Sequence, residues 1–219
     1  MIPISVVIPT LNAAATLAET LESLGEVAEV IVADGGSKDT TAQIATSHGT
    51  RVMRLPRGRG RQLAGGISAA HHPWLLLLHA DTRLGAGWGE AVRAAIANPG
   101  CAAYFRFALD SPKWKARLLC RAVALRCRLL ALPYGDQGLL IHRDLVTCVG
   151  GMSDLPLMED VDLIRRIGRR RLRALDVAAA TSAARWEREG WWRRSARNLV
   201  CLSLYFAGVK PAVIARLYE

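Results

Sequence analysis

A mainly parallel α/β sheet flanked by helices, with a helical extension at its C-terminal end, is the fold class that this sequence of 219 residues predicts. Three observations carry the prediction. Short apolar runs alternate with helix-like segments through the first half of the chain. One of those runs, Leu75–Leu78, is greasy enough for a central strand and stops abruptly on His79-Ala80-Asp81. That is the pattern of a buried parallel strand delivering polar groups to the ligand-binding edge of an open sheet. Beyond Leu84 the rhythm changes toward long basic helical segments.

In chain order, strand patterns occupy Ile4–Ile8, Glu29–Ala33, Arg51–Leu55 and Trp74–Leu78. Asn12 is a candidate cap for a helix reaching about Leu24, Ser37 for a second through Ala45, and Arg61–Ala70 supplies a third. The resulting β-α-β-α-β-α-β order implies right-handed crossovers with helices on both faces. A helix near Trp88–Ala97, a strand near Ala102–Leu109 and a long helix from Pro112 to about Leu132 follow. Glu159, Asp160 and Asp162 open a further helix, where the dipole favours carboxylates. No repeat or low-complexity linker marks a boundary; the expected division is residues 1–185 for the main domain and 186–219 for the extension.

Composition limits the function classes. At 51% hydrophobic residues the chain builds a sizeable core, and no apolar stretch approaches the ~20 residues of a membrane span. The start, MIPISVVIPT, has neither the basic flank nor the cleavage site of a signal peptide, so a cytoplasmic location is expected. Five cysteines without C-x-x-C spacing suggest neither a disulfide framework nor a zinc site. The net charge is +10 and 25 of the 29 basic residues are arginines, whose planar forks suit phosphate oxygens. An arginine-favouring base composition yields the same excess.

Several motifs then select among ligands. The first strand exits into Pro9-Thr10-Leu11-Asn12, not a glycine-rich dinucleotide turn, and Gly58-Arg59-Gly60-Arg61-Gln62 lacks the Lys-Ser/Thr pair of a P-loop. Asp34 ends the second strand before Gly35 and Gly36, where its carboxylate is able to accept from a nucleobase or ribose, although Asp-Gly-Gly-Ser is also an ordinary strand-to-helix turn. In extended chain His79 and Asp81 point the same way, toward one divalent cation, Mg²⁺ with a diphosphate or Mn²⁺ where imidazole joins. On spacing alone Glu159 and Asp160 are helix-capping charges. Arg57, Arg59 and Arg61 suit either phosphate or a solvated basic loop. Between Trp114 and Leu132 an apolar stripe (Trp114, Leu118, Leu125, Leu129, Leu132) opposes Arg117, Arg121 and Arg128. Such a helix packs on its own domain or rests on an anionic membrane. Trp186, Trp191 and Trp192 among arginines suit carbohydrate stacking, a membrane interface or a helix-helix contact, with packing plus peripheral membrane contact or self-association into a homodimer the expectation.

Taken together, VVIPTLNAAATLAETLESL, VIVADGGSKDTT, HADT, GDQG and MEDVDLIRRI, in this order, closely resemble the family 2 glycosyltransferases of the GT-A fold. More narrowly, GRGRQLAGG and NLVCLSLYFAGVKPAVIARLY are similar to a small bacterial subgroup associated with arsenosugar-type biosynthetic clusters. The resemblance implies an inverting, metal-assisted transfer of a hexose from a UDP- or GDP-linked donor to a small or lipid-linked hydroxyl acceptor. It places Pro9, Thr10, Asn12, Asp34, Gly35, Arg61, Gln62 and Ala80 around the nucleotide, and Gly135, Asp136 and Gln137 near the sugar or acceptor. It makes Asp81 the metal ligand, Asp160 the general base and Glu159 its orienting neighbour. The sequence departs from the family pattern at His79, which stands where a first aspartate is usual, and that leaves the metal's identity open between Mg²⁺ and Mn²⁺. The chemistry agrees: a departing diphosphate needs positive charge, and an attacking hydroxyl needs a carboxylate on the opposite face. The competing expectations are a non-catalytic sugar-nucleotide binder and a charge-driven binder of nucleic acid or membrane surface; within the transferase reading no nucleic-acid partner is expected, while peripheral contact with the inner face of the cell membrane is.

Overall fold

The chain was analysed as a computed structural model that describes residues 1–218. Eight strands form one sheet: β1 (Ile2–Thr10), β2 (Val27–Asp34), β3 (Arg51–Arg54), β4 (Trp74–Leu77), β5 (Thr82–Leu84), β6 (Ala102–Leu109), β7 (Leu139–His142) and β8 (Leu172–Thr181). Their spatial order is β3-β2-β1-β4-β7-β6-β8-β5. Pairings among β1 to β4 are parallel, as the alternating sequence pattern predicts. The β4–β7, β6–β7 and β5–β8 pairings are antiparallel, whereas β6 and β8 run parallel.

Helices cover both faces: α1 (Leu17–Glu22), α2 (Thr41–Ser47), α3 (Arg59–Ala69), α4 (Trp88–Ala95), α5 (Trp114–Leu130), α6 (Arg143–Cys148) and α7 (Glu159–Ile167). At the C-terminal end come α8 (Ala184–Glu189), α9 (Trp191–Phe206) and α10 (Pro211–Tyr218). Because side chains alternate along a strand, the apolar runs feed two cores. Ile4, Val6 and Ile8 of β1 pack with Leu76, Phe105 and Leu140 beneath α1 and α4. Val7, Leu75, Leu77 and Ile141 face the opposite layer with Leu63, Ile67, Val161 and Leu163. Gly66 sits where a Cβ would lie 2.3 Å from Val7 Cγ1, so glycine lets α3 press onto β1.

Two capping expectations are corrected. Asn12 does not cap α1: its backbone is left-handed (φ 51°), its amide donates to Ser37 Oγ and its Oδ1 accepts from Lys38 N, so it ties two loops together. Ser37 does not cap α2, which begins at Thr41; its hydroxyl donates to Asp34 instead. The expected boundary after residue 185 falls inside α8, whose Trp186 packs against Phe107 and Trp191 in a third core with α5. Of the two orientations open to the α5 stripe, four of its five residues take the outward one, and Leu132 is buried just beyond the helix. Ala116, Val123 and Cys127 are buried, while Trp114, Leu118, Leu125, Leu129 and Leu130 are exposed. Trp114 meets Trp192 with ring centroids 6.2 Å apart, so the apolar face continues onto α9 at Leu199 and Val200. No helix among the described residues is long and apolar enough to cross a membrane.

Candidate active site

Parallel strands end together, so β1 and β2 bring Thr10 and Asp34 to one edge of the sheet in direct register, and β4 brings His79 beside them. A cleft of about 520 Å³ opens there, lined by Pro9, Thr10, Asn12, Arg57, Arg59, Gln62, His79, Ala80, Asp81 and Arg185 among others. A second cavity of about 120 Å³ adjoins it, lined by Asp136, Asp160, Tyr134, Trp186, Asn198 and Tyr218 among others. Arg59, His79, Asp81, Ser182 and Arg185 line both, forming the wall between them.

His79 and Asp81 reach this wall by a turn and not by extended chain. The strand ends at Leu77, and Thr82 N donates to His79 O at 3.3 Å. The turn is pinned on both sides: Ala80 O accepts from Thr16 Oγ1 at 2.8 Å and Thr20 Oγ1 at 3.0 Å, and Ser182 N donates to Asp81 O at 3.1 Å. His79 is held neutral, its pKa driven well below the usual value by burial and by the charges of Arg59 and Arg185. A neutral ring is the ligand-competent form. Among the described residues no three His, Cys, Asp or Glu side chains converge as a metal cage. The chain thus offers Asp81 and His79, and this fits a cation whose remaining positions go to diphosphate oxygens and water.

Asp160 comes from the first turn of α7. Its Oδ2 accepts from Gly135 N at 2.8 Å and its Oδ1 from Val161 N at 2.7 Å, so backbone donors from two parts of the chain set its orientation. Met158, the residue before the helix, is left-handed (φ 67°), the kind of strained position that aims side chains at sites. Next to it Glu159 is buried, and Oε1 lies 3.2 Å from Arg59 Nη1. Burial raises the Glu159 pKa against the pull of Arg59. Gly135 is the contact between the halves: a Cβ there would lie 2.6 Å from His79 Nε2 and 3.2 Å from Asp160 Oδ2.

The profile named Glycosyl transferase family 2 matches residues 5–153. The chain belongs to this family. An uncharacterized glycosyltransferase of Mycobacterium tuberculosis (strain ATCC 25618 / H37Rv) is 34% identical over 85 residues, which are 38% of this chain and 39% of that protein. The lipopolysaccharide core biosynthesis glycosyltransferase LpsC of Rhizobium meliloti (strain 1021) is 35% identical over 89 residues, 38% of this chain and 33% of that one. The match therefore spans less than half the length of these curated relatives. Among solved structures, glucosyl-3-phosphoglycerate synthase from Mycobacterium tuberculosis, in complex with Mn²⁺, UDP and glucosyl-3-phosphoglycerate, superposes with a TM-score of 0.56 at 22% identity, over 82% of this chain and 72% of that one. Mannosyl-3-phosphoglycerate synthase from Rubrobacter xylanophilus gives a TM-score of 0.60 at 18% identity, over 95% and 76%. These likenesses show the GT-A fold.

Within this family 2 glycosyltransferase the expected site residues divide. Pro9, Thr10, Asn12, Gln62, His79, Ala80 and Asp81 line the cleft, and Asp136, Asp160, His79 and Asp81 the adjoining cavity. Others support from behind. Asp34 is 1% exposed and accepts from Thr10 Oγ1 (3.1 Å), Gly36 N (3.1 Å) and Ser37 N (2.9 Å). Burial would raise its pKa, but the Ser37 hydroxyl, foremost, and those bonds outweigh it and hold it low. The tight packing of Gly35 against Gln62 is of the same kind, and Gln62 Nε2 itself donates to Thr10 O and Ala33 O at 2.7 and 2.6 Å. Arg61 lies outside both cavities, its Nε on Asp154 at 2.8 Å. Gln137 is 2% exposed and lines neither; its amide donates to Phe105 O at 3.0 Å.

Sequence reasoning missed the wall built by Ser182, Arg185, Asn198 and Tyr218. Its signals were the AARWEREGWWRR stretch, which holds Arg185 and reads equally as packing, and the NLVCLSLYFAGVKPAVIARLY segment, which runs from Asn198 to Tyr218 and marks a resemblance without assigning either residue a role.

Proposed function

We propose that the chain is an inverting glycosyltransferase that moves a hexose from a UDP- or GDP-linked donor to a hydroxyl acceptor with a divalent cation, Mg²⁺ or Mn²⁺. The observation that carries the reading is the shared wall: Asp81 faces the larger cleft and Asp160 the smaller cavity, with Arg59, His79 and Arg185 between them. The nucleotide takes the cleft, between the Pro9–Asn12 turn and the Arg57–Gln62 segment. Asp81, with His79 beside it, would hold the cation, which when bound would supply positive charge to the diphosphate oxygens. Arg185 and Arg57 add positive charge around the same oxygens. From the other side Asp160 accepts the proton of the acceptor hydroxyl as its oxygen bonds to the anomeric carbon and the bond to the diphosphate breaks, the electron pair leaving with the nucleoside diphosphate. Glu159, fixed on Arg59, orients Asp160 and sets the depth of α7.

The relatives support this reading without fixing the sugar: glucosyl-3-phosphoglycerate synthase carries Mn²⁺ and UDP in its crystals. The resemblance to the arsenosugar-type subgroup belongs to the same proposal. So does a station on the inner face of the cytoplasmic membrane, or a homodimer. The exposed Trp114, Leu118, Leu125, Leu129, Trp192 and Leu199 lie on α5 and α9, two helices without a single acidic residue. Apolar side chains on helices whose charged residues are all arginine and lysine suit an anionic bilayer.

Calorimetry with UDP, GDP and their glucose and mannose conjugates, with Mg²⁺ or Mn²⁺, tests the reading. Metal-dependent binding of one nucleotide is expected; binding of none overturns it.

A further inference from the structure

We infer that the cavity beside Asp160 is an acceptor subsite for a small polyhydroxylated compound, and that Asp136, Asn198 and Trp186 hold the hydroxyls that do not react. The inference rests on the glycosyl-transfer reading of the adjoining cleft. Four residues that line this cavity carry buried polar atoms with no hydrogen-bond partner: Asp136 Oδ1, Asn198 Oδ1, Trp186 Nε1 and Arg194 Nε. Buried polar groups are nearly always paired, and leaving one unpaired costs about 1–3 kcal/mol. Four around one small space therefore define a missing partner.

The chemistry of the four atoms says what that partner is. Two are oxygens that need donors, and the indole N–H of Trp186 and the Nε–H of Arg194 need acceptors. A hydroxyl is both, and several hydroxyls on one carbon chain meet these atoms while another faces Asp160. A lipid chain satisfies none of them. The volume agrees: about 120 Å³ lies well below the ~300–1,000 Å³ of drug-sized pockets. Leu157, Met158 and Val161 supply an apolar side for the carbons.

The wall is also built to stay in place. Arg194, 5% exposed, stacks its guanidinium 4.8 Å from the Trp186 ring, pairs with Glu189 at 3.0 Å and donates to Tyr218 Oη at 3.1 Å. Through these bonds α8, α9 and α10 close the cavity, which gives the C-terminal helices a role in choosing the acceptor.

The test is nuclear magnetic resonance on the ¹⁵N-indole signals of the six tryptophans, with the Trp186 signal assigned by Trp186→Phe. The protein, saturated with the nucleoside diphosphate it binds and Mg²⁺, is titrated with glycerol, erythritol and glucose, and with 1-propanol as the control. A shift of the Trp186 signal with at least one polyol and not with propanol is expected, with affinity reduced about tenfold by Asn198→Ala, one lost hydrogen bond. Nucleotide affinity should be the same in that variant. Asn198→Ala alters a half-buried helix position, so it serves even if Trp186→Phe misfolds, with the polyol affinity then read from the perturbed indole signal it shares with the parent protein. An unmoved set of indole signals at saturating nucleotide overturns the subsite while leaving the transferase reading in place; failure of any nucleotide to bind overturns both.

Discussion

The backbone N–H of Gly135 donates to Asp160 Oδ2 at 2.8 Å, joining the turn that precedes β7 to the first turn of α7. The contact leaves no room for a side chain, because His79 Nε2 and Asp160 Oδ2 both crowd the position a Cβ would take. Gly135→Ala should therefore displace the carboxylate or the ring by a fraction of an ångström to an ångström. A drop in kcat of about 10²-fold is expected, with a melting temperature only a few degrees lower. Wild-type turnover in this variant would show that the contact does not position the base.

The Arg59–Glu159 pair is asymmetric: the carboxylate is 2% exposed and the guanidinium 39%. Arg59→Ala leaves a buried acid without its cation, which costs about 2–3 kcal/mol at this partial exposure. Urea unfolding should show that loss, and Glu159→Gln in the same background should recover part of it. No recovery would mean that Arg59 stabilises by packing rather than by charge.

Arginines near the cleft are expected to differ by where they point. Arg61 is held on Asp154 at 2.8 Å, outside the cleft, whereas Arg185 lines it. Arg185→Ala should weaken nucleoside diphosphate binding about tenfold, one charge-assisted hydrogen bond, and Arg61→Ala should leave it nearly unchanged. Calorimetry on the two variants separates them; the reverse order would reassign the phosphate contact.

Asp136 supplies a pH dependence. Burial pushes its pKa up to about 7, against the pull of Arg126 and with added repulsion from Asp160 and Asp81. An acid whose folded pKa lies above its unfolded value binds more protons in the native state between the two values, so stability falls as pH rises from about 4 to 7 and the cost persists above. Asp136→Asn removes that cost. Its melting temperature should exceed that of the parent at pH 8 and approach it near pH 4. Parallel curves for the two proteins would show that Asp136 is not perturbed in solution.

How far these arrangements were legible in the sequence differs along the chain. The first four strands stand out because each is a short apolar run bounded by turn residues, and their order dictates the parallel half of the sheet. β8 does not: LRALDVAAAT is alanine-rich with weak strand preference, and it is a strand because β6 pairs with it from Leu172 to Thr181, interrupted by one bulge at Asp176–Val177. On α5 the periodicity was readable but not its direction, since only the tertiary fold decides that Ala116, Val123 and Cys127 face inward. Asp81 and Asp160 were readable through their motifs. Asn198 and Tyr218 were not, because nothing local marks a helix residue that becomes the wall of a cavity formed by strands a hundred residues earlier.

The division of roles between Asp81 and Asp160, which meet at the cavity adjoining the cleft, is tested most directly by Asp160→Asn. The substitution keeps the shape and one of the two backbone hydrogen bonds, from Gly135 or from Val161, but removes the proton acceptor. Nucleoside diphosphate and metal should bind as tightly as to the parent protein while sugar transfer is lost. Transfer at the parental rate, or loss of nucleotide binding with it, would contradict the division of labour between the two carboxylates.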